Sequence, residues 1–286
     1  MAVYKRNYAA YAGTLTPRWP RFLILTRYSC TRLFQSKFLI LFLTLCLCYP
    51  LGCIAFVYLS HNTSFLALIN FQGGEFLKID GRFFYSFCLV QGTLAYLLTA
   101  FVGPNLVSPD LVNGGMQLYL CRPFSPAEYV AGKLAVLIFL LSLITWMPGL
   151  LIFTIKATLA GWEFVTTNAW LAGGLLFGLL LWIVVLSLLA LALSAWVKWK
   201  IAAGALLLGV FFIGAGFGAA INTVLRTSYG SLIDLGQVIH TIWADLLRYD
   251  NGTDMPLTDA WIVLGVTCAI CLWLLARRIR AFEVIK

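Results

Sequence analysis

The sequence is poor in charged residues and in histidine. Only 11% of its 286 residues are Asp, Glu, Lys or Arg, two are histidine, and 62% are hydrophobic. Average soluble domains contain about 25% charged residues, so this composition excludes an ordinary soluble globular domain. A membrane cytochrome needs axial haem ligands within its bundle, whereas His61 and His240 fall near or beyond the ends of the apolar runs. The composition therefore predicts a membrane protein without a haem site.

Motifs that would carry catalysis or nucleotide binding are also missing. The sequence contains no GxxxxGK[ST] loop, no HExxH motif and no Ser-His-Asp constellation. Most of the eight cysteines fall within apolar runs, where a free thiol packs as a small hydrophobic group. Cys268 and Cys271 form a Cys-x-x-Cys pair, for which packing is favoured over redox or metal chemistry. We expect no enzymatic activity, cofactor site or metal site in this chain.

Long stretches without charge dominate what is present. The runs free of Asp, Glu, Lys and Arg cover 38–74, 83–109, 134–155, 164–197, 201–225 and 260–276. A helix needs roughly 20 apolar residues to cross the hydrocarbon core, so each run predicts one span, the last being usable from about Trp261 to Arg277. The fold class is thus an all-α membrane protein with six transmembrane helices. Because the spans hold no charged residue except at their ends, transport coupled to protons or ions is not expected.

The basic residues are distributed unevenly between the two sides of these spans. Only Lys78, Arg82, Lys156, Arg226 and Arg248 fall on one side, and all other basic residues fall on the opposite side. Cytoplasmic loops carry the excess of Lys and Arg, so we expect both termini in the cytoplasm. The localisation predicted is a multi-pass protein of the prokaryotic inner (cytoplasmic) membrane.

The chain divides into a basic lead, 1–37, and a six-span transmembrane domain, 38–286. The lead mixes basic and aromatic residues, which is typical of a helix lying in the headgroup layer, although a generic basic flank explains it equally well. The net charge of +9 belongs to the inner membrane face and predicts membrane lipids, not nucleic acid, as partners.

The polar segment 105–133 between the second and third runs is the most informative part of the sequence. A residue before proline is pushed out of the helical region, so Arg122-Pro123 ends any helix that precedes it. Ser125 is a preferred N-cap, a proline follows at the first helical position, and Glu128 lies three residues after the cap, which completes a capping box. The segment predicts a helix that is continuous with the third span. Such a helix can transmit a displacement from outside the bilayer to the part of the span within the bilayer.

A second polar segment, 222–259, lies between the fifth and sixth runs on the opposite side. At 100° per residue it predicts an amphipathic helix that lies on the outer surface or dips partway into the bilayer. Its apolar face holds Leu232, Leu235, Ile239, Ile242, Trp243 and Leu246, and its polar face holds Asp234, Gln237, Thr241, Asp245 and Arg248. This helix either closes an exit pathway or simply fills space at the surface. As an outer gate helix, its gate residues would be Leu235, Ile239, Ile242, Trp243 and Leu246.

Two pairs of glycines lie four residues apart within predicted spans. They are Gly174 with Gly178 and Gly214 with Gly218. Small residues at this spacing let helix backbones approach closely, either within one chain or across a dimer, and packing within the chain is the commoner use.

The residues of 105–133 follow an ordered pattern. They are Asp110, Gly114-Gly115, the apolar run 116–120, Arg122-Pro123, Ser125, Glu128-Tyr129 and Gly132-Lys133. This pattern resembles the signature cytoplasmic loop of type-two ABC transporter permeases, in which a threonine usually stands at the position of Gly115. The six spans, the basic lead and the long segment between spans five and six also match the layout of that family.

The resemblance implies the permease subunit of an ATP-driven exporter. Such a chain forms a translocation pathway as a homo- or heterodimer with a second permease chain, and two separate ABC ATPase subunits bind ATP and magnesium. The lead would form an elbow at the membrane, 222–259 would help to close the exit, and 105–133 would be the ATPase-coupling loop. The coupling residues implied are Asp110, Gly114, Gly115, Arg122, Pro123, Ser125, Glu128, Tyr129 and Lys133.

Two other classes stay open from the sequence alone. The chain can be an accessory or structural subunit of a larger membrane complex, whose loop binds a partner other than an ATPase. It can also be an intramembrane enzyme such as a lipid-modifying transferase, for which only the acids Asp245, Asp250, Asp254 and Asp259 are clustered. For a transporter, the apolar pathway favours lipids, lipid-linked glycans or amphipathic compounds as substrates.

Overall fold

A computed structural model describes residues 21–62, 79–113, 115, 125–197, 199–253 and 255–279. Within these ranges the chain is helical and contains no strand. The helices are α1 (Arg21–Phe34), α2 (Lys37–His61), α3 (Gly81–Val112), α4 (Pro126–Ile144), α5 (Trp146–Ala160), α6 (Trp162–Trp196), α7 (Lys200–Leu225), a 3₁₀ turn η1 (Tyr229–Leu232), α8 (Leu235–Leu246) and α9 (Leu257–Arg278).

Six helical segments are long and apolar enough to cross a membrane. They are Lys37–His61, Gly81–Asp110, Pro126–Ala160, Trp162–Trp196, Lys200–Leu225 and Leu257–Arg278. The prediction of six spans is confirmed, and the fourth run forms a single long helix with a kink at Asn168. The chain is an all-helical, multi-pass integral membrane protein.

The third span is not one continuous helix, as the uninterrupted run 134–155 suggested. It breaks at Thr145, whose φ of −108° and ψ of −93° lie outside the helical region. Pro148 follows three residues later and has no N–H to donate to the carbonyl of Ile144. The missing hydrogen bond explains why α4 ends here and α5 begins.

The side chain of Gln91 on α3 occupies the centre of the bundle and is fully buried. Its Nε2 donates to the carbonyl oxygen of Ile144 and, at 3.1 Å, to that of Cys46. Cys46 lies four residues before Pro50 in α2, so both carbonyls are ones that a proline leaves without a helical donor. One amide thereby supplies hydrogen bonds to the carbonyls that two prolines in two different spans leave without a helical donor, as buried backbone groups in lipid require.

Helix α6 forms the middle of the bundle and packs against α3, α4, α5, α7 and α9. Its most apolar stretch is 72% buried, the largest share of the six spans. The indole Nε1 of Trp182 donates to the carbonyl of Gly92 on α3 at 3.0 Å, and a Cβ at Gly103 would lie 2.6 Å from that of Ala190. Small residues therefore bring α3 and α6 into close contact.

Candidate functional site

The predicted capping box is present at the start of α4. Ser125 is the N-cap, and its hydroxyl accepts a hydrogen bond from the backbone N–H of Glu128 at 3.2 Å. The carboxylate of Glu128 accepts in return from the backbone N–H of Ser125 at 2.7 Å. Two N–H groups of the first turn are thus satisfied. From this cap α4 continues without interruption to Ile144.

A buried ion pair joins the second turn of α4 to the last turn of α3. The Nζ of Lys133 lies 2.9 Å from Oδ2 of Asp110, and the Tyr129 hydroxyl donates to the same oxygen at 2.8 Å. The Lys133 ammonium also lies 5.5 Å from the centre of the Tyr129 ring. Lys133 and Tyr129 are buried and Asp110 is nearly so. Removing one partner from a buried pair leaves an uncompensated charge, so this network fixes α4 to α3.

Helix α1 packs along the first part of α4. The Thr26 hydroxyl donates to the carbonyl of Gly132 at 3.0 Å as well as to its own helix at Phe22. A Cβ at Gly132 would lie 3.1 Å from both Leu25 Cδ2 and the carbonyl oxygen of Phe22. The absence of a side chain at Gly132 therefore permits the close approach of α1. This contact was not predictable from the sequence, because Thr26 lies among the mixed basic and aromatic residues of the lead.

The structure brings five of the predicted coupling residues to one end of the bundle. Asp110 is at the end of α3, and Ser125, Glu128, Tyr129 and Lys133 lie on the first two turns of α4 or at its cap. Gly115 is beside Asp110, since its Cβ would lie 3.5 Å from the Asp110 carbonyl oxygen. The remaining three, Gly114, Arg122 and Pro123, lie outside the described residues.

The helix between spans five and six differs in two ways from its prediction. It begins at Leu235 instead of Leu232, because the Asp234 carboxylate accepts from the N–H of Gly236 at 2.9 Å and caps the helix. Thr241, assigned to the polar face, is only 8% exposed and donates to the carbonyl of Gln237. Of the predicted gate residues, Leu235, Ile239, Ile242 and Trp243 are buried and Leu246 is half-buried. Helix α8 therefore packs into the bundle.

Trp243 is the largest buried side chain of α8. Its indole Nε1 donates to the carbonyl of Gly178 on α6 at 3.0 Å. A Cβ at Gly92 would collide with the indole, and one at Gly178 would lie 2.8 Å from it. At 1.5 Å per residue, Gly92 lies roughly 16 Å along α3 from Gly81, which is about half of a 30 Å hydrocarbon core. The ring also meets Trp182 edge to face, at 5.9 Å.

Both predicted glycine pairs pack closely against the segment from η1 to α8. A Cβ at Gly174 would meet the backbone of Leu246, and Gly178 faces Trp243. On the other side, a Cβ at Gly214 would lie 2.9 Å from the carbonyl of Ile233, and one at Gly218 would lie 2.7 Å from that of Gly230. The prediction that these pairs pack within the chain is confirmed. The η1–α8 segment is fitted between α6 and α7.

His240 lies on α8 beside this contact, with its ring 5.7 Å from that of Trp243. Burial lowers the pKa of His240 below its usual value, while the nearby Asp234 carboxylate acts in the opposite direction. Among the described residues, no three His, Cys, Asp or Glu side chains are arranged to hold a metal ion.

No protein-family model and no curated protein matches this chain.

Proposed function

We propose that the chain is the permease subunit of an ATP-driven ABC exporter, moved by separate ATPase subunits that dock on 105–133. One observation carries the proposal. A helix that begins on a reciprocal cap, at Ser125 and Glu128, runs directly into the third span, and an ion pair holds its second turn to the end of the second span. A displacement of this cap would therefore be transmitted to the second and third spans together.

The physical requirement for such coupling is a stiff connection. A frayed helix end would absorb a displacement, whereas a capping interaction stabilises the first turn by about 1 kcal/mol. Asp110 and Lys133 hold the two ends of the loop together, so that α3 and α4 move as a unit. The Thr26 contact adds α1 to that unit. The partner must bind two permease states with different affinity, because a partner that binds both equally shifts nothing.

The remaining features of the chain agree with this assignment. The middle parts of the spans, in the charge-free runs, hold no charged residue that could couple transport to an ion, so the energy would come from ATP and magnesium bound by two partner ATPases. The excess of basic residues on one side supports cytoplasmic termini, and the membrane of this proposal is a prokaryotic inner membrane. A second permease chain, identical or homologous, would complete the pathway. This chain would itself carry out no catalysis.

Helix α8 is our proposed outer gate. With cytoplasmic termini, it lies on the outer side as an amphipathic helix, with Trp243 inserted between Gly92 and Gly178. Opening an exit would withdraw the indole and break its hydrogen bond to Gly178. Gly92 and Gly178 present no side chain to the indole, so at these two positions the helix can leave and return without moving a side chain.

The test is to purify the full chain from its native membrane in mild detergent and identify what is recovered with it. We expect a soluble subunit with a P-loop in stoichiometric amount. Recovery with other membrane subunits and no ATPase would contradict the proposal and favour an accessory or structural subunit of a larger complex. Since Glu128 and Arg122 lie in the proposed docking loop, Glu128→Ala or Arg122→Ala should reduce the ATPase activity of the recovered complex.

A further inference from the structure

A cavity of about 910 Å³ lies at the same end of the bundle as the capped helix. Its walls come from the end of α1, the start of α2, the end of α3 and the start of α7. Because successive spans alternate in direction, these ends meet at one rim of the bundle, at the depth of the lipid headgroups. Ligand sites have volumes of roughly 300 to 1,000 Å³, so the cavity can hold a group of considerable size.

Charge in this cavity is unbalanced. Its charged lining residues are Arg32, Asp110, Lys133 and Lys200. Asp110 and Lys133 neutralise each other. Arg32 and Lys200 are exposed, and within the described part of the chain neither forms an ion pair. Within the described residues, the cavity therefore presents two cations without an ion-pair partner to whatever occupies it.

The rest of the lining is largely apolar. Phe38 on α2 and Phe101 on α3 meet edge to face, with ring centres 5.5 Å apart, and each is about half exposed. Ile201, next to Lys200, is 80% exposed. A small soluble anion would use the cations and leave this aromatic wall in water. A phospholipid would use both, since it carries a phosphate and acyl chains in one molecule.

We propose that this cavity binds an anionic phospholipid of the membrane. Its phosphate lies between Arg32 and Lys200, and one acyl chain runs along Phe38 and Phe101. The Arg32 guanidinium can hold two phosphate oxygens at once, and the Lys200 ammonium adds a point charge from the opposite wall. Basic pockets between membrane helices are typical sites for anionic headgroups. The proposal rests on the cavity alone and does not require the chain to be a permease.

The experiment is a lipid titration of the full purified chain followed by native mass spectrometry. The probes are phosphatidylglycerol and phosphatidylcholine with identical acyl chains. The double variant Arg32→Gln/Lys200→Gln removes the two cations of the cavity. The matched control, Arg27→Gln/Lys37→Gln, removes two exposed cations of the same rim that do not line it. All four side chains are exposed, so folding should be retained, and the thermal unfolding midpoint without lipid checks this.

We expect the unaltered chain to retain phosphatidylglycerol in preference to phosphatidylcholine. The cavity variant should lose roughly 30-fold in affinity for phosphatidylglycerol, from about fivefold for each of the two cations removed, and the control should change by less than about threefold. Equal binding of the two lipids by the unaltered chain would overturn the proposal, whatever the variants do. Equal losses in both double variants would show attraction to the rim as a whole. Displacement of the lipid by millimolar inorganic phosphate would assign the cavity to a soluble anion.

Discussion

Lys133 and Asp110 form an ion pair of 2.9 Å that closes the two ends of segment 105–133 against each other. The pair is buried on the lysine side and 18% exposed at the aspartate side chain. Losing one partner here should therefore cost more stability than at a surface ion pair, because the remaining buried charge would have no counter-charge.

Replacing Lys133 by Met should leave the Asp110 carboxylate, among the described residues, with only the Tyr129 hydroxyl as partner. We expect a loss of about 1–3 kcal/mol in stability, measured as a lower thermal unfolding midpoint of the purified chain. The double variant Asp110→Asn/Lys133→Met should recover part of that loss, because the uncompensated charge is gone. Lys156→Met, which removes a cation from the other end of the third span, is the control. A double variant less stable than Lys133→Met would show that the charge pair is not the cause.

The hydrogen bonds of Gln91 predict a second pattern of stability changes. Gln91→Leu leaves the carbonyls of Cys46 and Ile144 without a donor and should cost about 1–3 kcal/mol. Adding Pro148→Ala supplies an N–H for the Ile144 carbonyl, so the double variant should regain part of the loss. Thr93→Val, at an exposed position of the same helix, should have little effect. No recovery by Pro148→Ala would refute the link between the glutamine and the proline kink.

The insertion of the Trp243 indole beside Gly178 can be tested by comparing two glycines of α6, Gly178 and Gly173. Gly178→Ala places a methyl group against the indole and should destabilise the chain by about 1–3 kcal/mol. A Cβ at Gly173 meets nothing within 4 Å, so Gly173→Ala should be neutral or slightly stabilising, because alanine favours a helix. The comparison is made by thermal unfolding. Equal effects of the two substitutions would contradict the insertion of Trp243 beside Gly178.

The environment of His240 predicts a dependence of stability on pH. Burial lowers the pKa of the folded state, so the unfolded chain takes up a proton first as the pH falls through about 6.5. Stability should therefore decrease between about pH 7 and pH 5.5, and His240→Gln should show a smaller decrease. The measurement is the unfolding midpoint at each pH. A parallel decrease in the variant would assign the effect to other groups.

Much of the fold follows from the sequence because its causes are local. Six charge-free runs define six spans, and the capping box depends only on Ser125 and Glu128, three residues apart. The break at Thr145 was not predicted. A proline such as Pro148 is tolerated in a span only where another helix supplies a donor for the carbonyl that the proline leaves free, here that of Ile144. That donor, Gln91, lies more than fifty residues away in sequence.

The depth of α8 was not predictable for a similar reason. The same apolar stripe serves a surface helix and an inserted one, and the difference lies in the glycines of α3 and α6 that receive Trp243. Asp234 illustrates a second limit. Its position fits the polar face of a helix, but a carboxylate one residue before a helix start also caps it, and here the cap prevails.

The most direct test of the proposed coupling monitors α8, the proposed outer gate helix. ATP is added to the complex that is expected to be purified with the ATPase subunit. Asp245 is an exposed residue of α8, and a cysteine placed there reports its surroundings through the rate of labelling by a water-soluble thiol reagent. The capping box accepts Glu or Gln at its third position, so the same reporter is combined with Glu128→Ala and with Glu128→Gln. We predict that ATP changes the labelling rate in the unaltered and Gln chains and has no effect in the Ala chain. An undiminished response to ATP in Glu128→Ala would contradict the transmission of force through the capped helix.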